Sequence, residues 1–439
     1  MCRIIQNHLS VKTPNGWKTT AELKNIQYGD LKVIKDSLDK PANRQSKYTK
    51  AFVALCERYQ LDPQPLLDQV MEKEEVTIKD PPPPAPIEHV RIQDLSPSML
   101  DMTIACTVLA AQYEELECPP LVLVIGPTST NKTGTMRKFR DPRLVKWAGR
   151  ATAKSWLPGR PNAESERSKG IFERSHHRCI IQNELASMRG EDNMDFILGI
   201  LTDSYGPEGI VLDDGGGEVI IPTYFTTIFG MTQDMYWEWI QKSLGLGQRF
   251  LVEKTFNDWE HYHSSFTRPP ITEERNQWVN LLLRVKNTPL PTPTPEMLTV
   301  AYTHCQKIMI LTSVKRTGNL QETNGAHRIA DQIITMALMR SLIYERPPTT
   351  EDVKYFLHLT NEMIPYKYEW KQLIDQGIYE RQDTVFNDHK QMFNNCFELK
   401  IFFRVENKWI INLEWYQFIK AIVSSDVLPQ SIGEQDGTY

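Results

Sequence analysis

No stretch of this chain approaches the ~18 consecutive apolar residues of a membrane-spanning helix, and none of its seven cysteines forms a Cys-x-x-Cys pair. The cysteines stand at 2, 56, 106, 118, 179, 305 and 396. That scatter argues against a zinc site and for reduced thiols. The N-terminus lacks the apolar core of a secretory signal, so a cytoplasmic location is expected. Internal repeats are also missing. Neither sign of charge dominates: the net charge is −5, with 24% charged and 40% hydrophobic residues. That composition belongs to an ordinary globular protein, and 439 residues suffice for two or three domains with their own cores.

What is present is a strand followed by a loop with a purpose. Leu121-Val122-Leu123-Val124-Ile125 is an apolar run suited to a buried parallel strand. It feeds Gly126-Pro127-Thr128-Ser129-Thr130-Asn131-Lys132-Thr133, which has the spacing of a phosphate-binding P-loop with Asn131 at the second glycine position. In such a loop successive N–H groups and a helix N-terminus surround the phosphates. Lys132 would reach the β/γ-phosphates of ATP, and Thr133 would ligate Mg²⁺. Asparagine tolerates left-handed backbone angles better than most residues, which makes the replacement workable. The alternative is a surface loop carrying an exposed lysine.

From Lys132 to Arg178 there are about thirteen Lys/Arg against about four Asp/Glu, among them Arg137, Lys138, Arg140, Arg143, Lys146, Arg150 and Lys154. Beside a P-loop this suits contact with a nucleic-acid backbone. A solvated face balanced by acidic neighbours would read the same way.

The chain order suggests the organisation. Residues 1–80 are polar and predict short helices, for example Lys47–Leu55, and 81–89 is a stiff proline-rich linker. Ser96-Pro97-Ser98 opens a helix carrying Met99, Met102, Ile104, Val108 and Leu109 to the core. Arg178–Gln182 predicts a second buried strand, ending in Asn183 and Glu184. Glu184 suits the polarising of an attacking water, and Asn183 stands at the metal position. Ile210–Leu212 and Val219–Ile221 flank Asp213-Asp214-Gly215-Gly216-Gly217-Glu218 and predict a hairpin. Phe225–Met231 predicts a third core strand ending at Thr232 and Gln233, and Arg249 precedes another apolar segment. Residues 271–365 have helical periodicity, with Thr349-Thr350-Glu351-Asp352 opening one helix. Residues 366–425 predict helices and then a hairpin, the layout of a winged helix, and 426–439 is a polar tail.

This order of motifs resembles the AAA+ module of MCM-type replicative helicases and related ATPases of plasmids and phages. Cys179–Met188 is similar to that family's apolar strand, acidic pair and trailing methionine. The hairpin stands where the family carries one before its sensor-1 strand. Gln248-Arg249-Phe250 resembles its arginine-finger motif, and Arg328 its sensor-2 arginine. The resemblance spans about residues 90–425. It implies a fold of α/β class: a P-loop AAA+ core (90–270), a helical lid (271–365) and a winged helix (366–425), preceded by a small, mainly helical N-terminal region. Arg249 and Arg328 would then act at a subunit junction, probing a neighbour's γ-phosphate in a homo-oligomer, usually a hexamer ring. Thr232 or Gln233 would sense that phosphate within the subunit.

Departures narrow this expectation. Asn131 and Asn183 imply weaker hydrolysis, and an Asp-Asp-Gly hairpin tip is poorly suited to gripping DNA. The short N-terminal region lacks the cysteines of the family's zinc-bearing domain. Together they favour a compact replication protein of a mobile element or virus: an ATP- and Mg²⁺-dependent helicase on DNA, with possible replication partners. The rival readings are an ATP switch or loader that assembles on DNA without unwinding it, and a scaffold that binds DNA with a vestigial site. A packaging motor would need a nuclease-like acidic cluster after the ATPase, which the sequence does not offer.

Overall fold

The computed structural model describes residues 2–5, 8–13, 16–19, 90–127, 130–148, 153–157, 170–185, 196–201, 205–206, 208–213, 218–242, 249–256, 271–313, 325–364, 367–376, 378–379, 396–405 and 408–423. The chain divides into two compact units, Met1–Ile87 and Glu88–Tyr439, so the proline-rich segment falls at the division.

Residues 2–19 of the first unit are strands where short helices were expected. β1 (Cys2–Ile5), β2 (His8–Thr13) and β3 (Gly16–Thr19) form an antiparallel sheet, with Ile4 opposite Leu9 and Thr13 opposite Gly16. The cause is local: apolar residues alternate at Leu9 and Val11, and Pro14-Asn15-Gly16 is a strong hairpin signal. The helix expected at Lys47–Leu55 lies outside the described residues.

The second unit begins with α1 (Met99–Ala110), then β4 (Leu121–Ile125), α2 (Lys132–Arg137), β5 (Val145–Trp147), α3 (Ala153–Trp156) and β6 (Arg178–Gln182). The hairpin strands β7 (Tyr205–Gly206), β8 (Gly209–Asp213) and β9 (Glu218–Ile221) follow, then β10 (Phe225–Met231), α4 (Gln233–Lys242) and β11 (Leu251–Lys254). Five strands make one parallel sheet in the order β11-β4-β10-β6-β5. From β4 the chain crosses to the β5 edge and then steps back through β6 and β10, passing β4 to reach β11. Right-handed crossovers taken in opposite directions leave from opposite faces of a sheet. Accordingly Met136 and Phe139, in and after α2, pack with Val122 and Val124, while Tyr236 of α4 packs with Leu121, Leu123 and Ile125. The carboxyl end of β4 is therefore the switch point, where open parallel sheets bind ligands.

Packing explains each layer. Ser98 caps α1 by accepting from the Asp101 N–H, and Asp101 accepts from Ser98 in return. Every residue from Asp101 to Ala110 is buried, because α1 lies on the sheet and is covered by further helices. The expected apolar stripe is thus the whole circumference, with Met99 only half-buried. The hairpin at 209–221 forms as expected, Asp213 facing Glu218. It is pinned by Tyr205, whose hydroxyl donates to the Phe225 carbonyl (2.7 Å) and accepts from its N–H (2.8 Å).

The helical part comprises α5 (Ile271–Val285), α6 (Pro295–Ser313), α7 (Gly325–Ile343), α8 (Thr350–Phe356) and a 3-10 turn, Leu357–Met363. It shares one apolar core with α1 and one face of the sheet. The last part holds α9 (Lys367–Gln376), β12 (Ile378–Tyr379), β13 (Phe402–Val405), β14 (Lys408–Ile411) and α10 (Leu413–Val423). The expected hairpin is present and gains β12 as a third strand; α10 was not anticipated from the sequence. Among the described residues, no helix is long and apolar enough to cross a membrane.

Candidate functional site

The loop after β4 is built around two unusual backbone positions. Gly126 has φ +151°, and a Cβ there would stand 2.2 Å from Thr255 Oγ1 and 2.6 Å from the Thr255 carbonyl oxygen. Asn131 takes φ 55°, ψ 17°, the left-handed conformation expected of a residue in a glycine's place, and so starts α2. Its side chain lies over Gly134, where a Cβ would meet Asn131 Oδ1 at 1.9 Å. Lys132 is buried, and its ammonium donates to the carbonyls of Gly126 (2.7 Å) and Pro127 (2.6 Å) and to Thr130 Oγ1 (3.2 Å). Burial pulls its pKa below the usual lysine value, and the Glu184 carboxylate opposes that pull. Thr128 and Ser129 lie outside the described residues.

Thr255, just past β11, is a site residue that the sequence reading missed. Its hydroxyl donates to the Ile125 carbonyl (3.0 Å) and lies 2.8 Å from Thr130 Oγ1, so it ties the two ends of the loop together. No sequence pattern marks it; only the pairing of β11 with β4 brings it there. Replacing Gly126 by alanine should therefore expel the loop from Thr255. We expect ATP affinity to fall by about tenfold or more, roughly 1.4 kcal/mol, with some loss of thermal stability as well, since alanine is strained at this φ. Titration with a fluorescent ATP analogue checks this, and unchanged affinity would show that the loop tolerates the displacement.

The ends of β6 and β10 complete this edge. Asn183 Nδ2 is 3.5 Å from Thr133 Oγ1, so the two proposed metal-site side chains adjoin. Gly230 permits it: a Cβ there would lie 2.3 Å from the Asn183 carbonyl oxygen. Glu184 is half-buried, with its backbone carbonyl held by Gln182 Nε2 (3.1 Å), and it acts electrostatically on Lys132. Thr232 and Gln233 follow β10 at the same end of the sheet, between the ends of β4 and β6. Thr232 also caps α4, its hydroxyl accepting from the Met235 N–H (3.4 Å). An amide oxygen, a threonine hydroxyl and an adjacent carboxylate are hard oxygen donors of the type Mg²⁺ takes, so these residues fit that ion.

Arg249 and Arg328 are elsewhere. The parallel register sets Leu251 beside Val122, so Arg249 precedes β11 at the amino end of the sheet. Arg328 is exposed next to Cys118, beside an open cleft lined also by Leu121, Tyr205 and Gln332. Buried Gln332 joins the two arginines' surroundings: its Oε1 accepts from the Leu121 N–H (2.9 Å) and its Nε2 donates to the Arg249 carbonyl (3.1 Å). At about 3.3 Å per residue, β4 separates this edge from the Lys132 loop by roughly 13 Å. The structure thus brings the two arginines to the amino end of the sheet and away from the Lys132 loop.

No family model matches this chain, and no curated protein matches it. Its chemistry must be read from these residues themselves.

One further cluster has the composition of a metal site: Glu114, His176 and His177. Its hydrogen bonding says otherwise. His176 Nδ1 accepts from the Tyr224 N–H (3.2 Å), which puts the ring proton of the neutral form on Nε2, the atom facing Glu114 at 3.5 Å. A metal would need that atom deprotonated.

Proposed function

We propose that this protein is a Mg²⁺-dependent ATPase of the AAA+ type that forms a ring, hydrolyses ATP at its subunit junctions, and translocates on DNA as a helicase of a replicating mobile element or virus. The observation that carries the reading is the convergence at one sheet edge of the Lys132 loop, Thr133, Asn183 and Glu184, at the switch point of a parallel sheet. Lys132 and the N–H groups of the loop would bind the β/γ-phosphates. Glu184 would hold and deprotonate the attacking water, and Thr232 or Gln233 would contact the γ-phosphate. Thr133 and Asn183 would hold Mg²⁺, which when bound neutralises charge on the phosphate oxygens. Hydrolysis is phosphoryl transfer to water, so the protein's share is positioning and charge stabilisation.

The amino-edge location of Arg249 and Arg328 supports action on a neighbour's nucleotide, since both stand a strand's length from their own loop. In this reading residues 271–365 are the lid and 366–425 a winged helix that docks DNA or a partner. One observation favours the switch or loader instead: a neutral amide, Asn183, faces Thr133 where a carboxylate would hold a metal-bound water more strongly.

Steady-state ATP hydrolysis with and without single-stranded DNA, for wild type and Lys132→Ala, tests the proposal. DNA-stimulated turnover that the substitution abolishes is the expected result. Nucleotide binding without turnover above the Lys132→Ala background would replace the motor by the switch, and loss of both would leave the scaffold.

A further inference from the structure

The basic stretch from Lys132 to Arg178 does not act as one surface, because the fold sorts its cations. Lys132 is turned into its own loop. Lys138 is buried between Asp101 (3.0 Å) and Glu274 (3.1 Å). Arg143 is paired with Asp141 (2.9 Å), and Arg140 lies over the Trp147 ring at 5.3 Å. Three others are arranged differently. Lys146 on β5 pairs with Ile180 on β6, so it projects to the same face as Arg178, two residues earlier on that strand. Arg174 stands on the 3-10 turn Glu173–Ser175 that packs beside both strands. Arg174 is exposed, and Lys146 and Arg178 are half-buried. Among the described residues none of the three has a carboxylate at ion-pair distance; Arg174 only donates to the Gly170 carbonyl (3.2 Å). Partial burial lowers the Lys146 pKa, and the neighbouring charges of Arg174 and Arg178 lower it further.

Holding three like charges together opposes folding unless an anion joins them. Among the described residues β5 is the last strand of its sheet, so the cluster sits at a sheet edge. It lies at the amino end of β6, away from the Lys132 loop, and therefore is not part of the ATP site. We propose that Lys146, Arg174 and Arg178 form a contact site for the phosphate backbone of a nucleic acid. The choice of partner rests on the reading of the chain as a nucleic-acid-dependent ATPase; the placement of the site does not.

The test is binding of the full-length protein, without nucleotide, to a fluorescent thymidine oligonucleotide and to a duplex across a salt series. Wild type is compared with the triple variant Lys146→Gln, Arg174→Gln, Arg178→Gln, with Lys146→Gln alone and with Arg143→Gln. On a single strand the log–log salt slope should fall by about 2 in the triple variant and by about 0.7 in Lys146→Gln. The wild-type advantage should then shrink about fifteenfold between about 50 and 200 mM salt. Arg143→Gln should change the slope less than Lys146→Gln. Equal slopes for wild type and the triple variant would overturn the proposal, as would an Arg143→Gln effect as large as the triple one. If the triple variant unfolds, Lys146→Gln alone decides. Vesicles of phosphatidylserine and phosphatidylcholine are run beside the oligonucleotides; a triple-variant defect on vesicles alone would reassign the cluster to anionic lipid. ATP affinity, read separately, should be unchanged in the triple variant, so failure of this site and failure of the ATPase reading are distinguishable.

Discussion

Glu184→Gln is expected to lower ATP turnover by about 10²–10⁴-fold, the range contributed by a positioned general base, while ATP affinity stays within a few-fold of wild type. The residue follows β6 at the edge where the Lys132 loop and Thr133 meet Asn183. Its carboxylate is close enough to raise the Lys132 pKa against the effect of burial. Glutamine keeps the shape and a hydrogen-bonding end but cannot take a proton from water. Lys132→Ala should behave differently, losing affinity and turnover together, since the ammonium would contact the phosphates in both ground and transition states. Single-turnover hydrolysis combined with nucleotide titration separates the two. If Glu184→Gln turns over within about threefold of wild type, another group activates the water and Glu184 has only a supporting electrostatic role.

Asp352→Ala should destabilise the second unit by about 3–5 kcal/mol, the cost of stripping the partner from a buried charge cluster. The carboxylate is fully buried and accepts from Arg346 on both oxygens (2.8 and 2.6 Å) and from Arg340. It also accepts from the Thr349 N–H (2.9 Å) and hydroxyl (3.0 Å), so it caps α8. Burial alone would raise its pKa, but the hydrogen bonds from Arg346, Thr349 and Arg340 outweigh it and hold the carboxyl below the ordinary value of 3.8. A depressed carboxyl contributes stability above its unfolded pKa and loses it as pH falls through the folded one. Denaturant unfolding should therefore show a large gap between wild type and Asp352→Ala at neutral pH, closing below about pH 4. A gap under about 1 kcal/mol at neutral pH would mean that the two arginines find water or other acceptors without cost.

Much of the candidate site was legible because its signals are local. The apolar run 121–125, the loop spacing to Lys132 and the short strand before Glu184 need only neighbours in sequence, and the structure pairs their strands through β10. Asn131 could be assigned a left-handed backbone for the same reason: its tolerance is a property of its own side chain. The hairpin at 209–221 followed from β-rich runs around a glycine-rich turn. At residues 2–19 the alternation at Leu9 and Val11 and the turn-forming sequence Pro14-Asn15-Gly16 outweigh the polar composition that suggests helices.

Other features depended on which strands lie side by side, and no local pattern encodes that. Thr255 supports the Lys132 loop only because β11 returns beside β4, and Gly230 matters only because β6 ends against β10. Gln332 links Leu121 to Arg249 across more than eighty residues on one side and more than two hundred on the other. The basic stretch shows the difference most clearly. The sequence determined how many positive charges it holds, since ionisation is a property of each side chain. Only the tertiary structure decided which are cancelled, because Asp101 and Glu274 reach Lys138 through folding while, among the described residues, no carboxylate pairs with Lys146. Charge interactions fall off with distance in space, and distance in space is what the chain order leaves open.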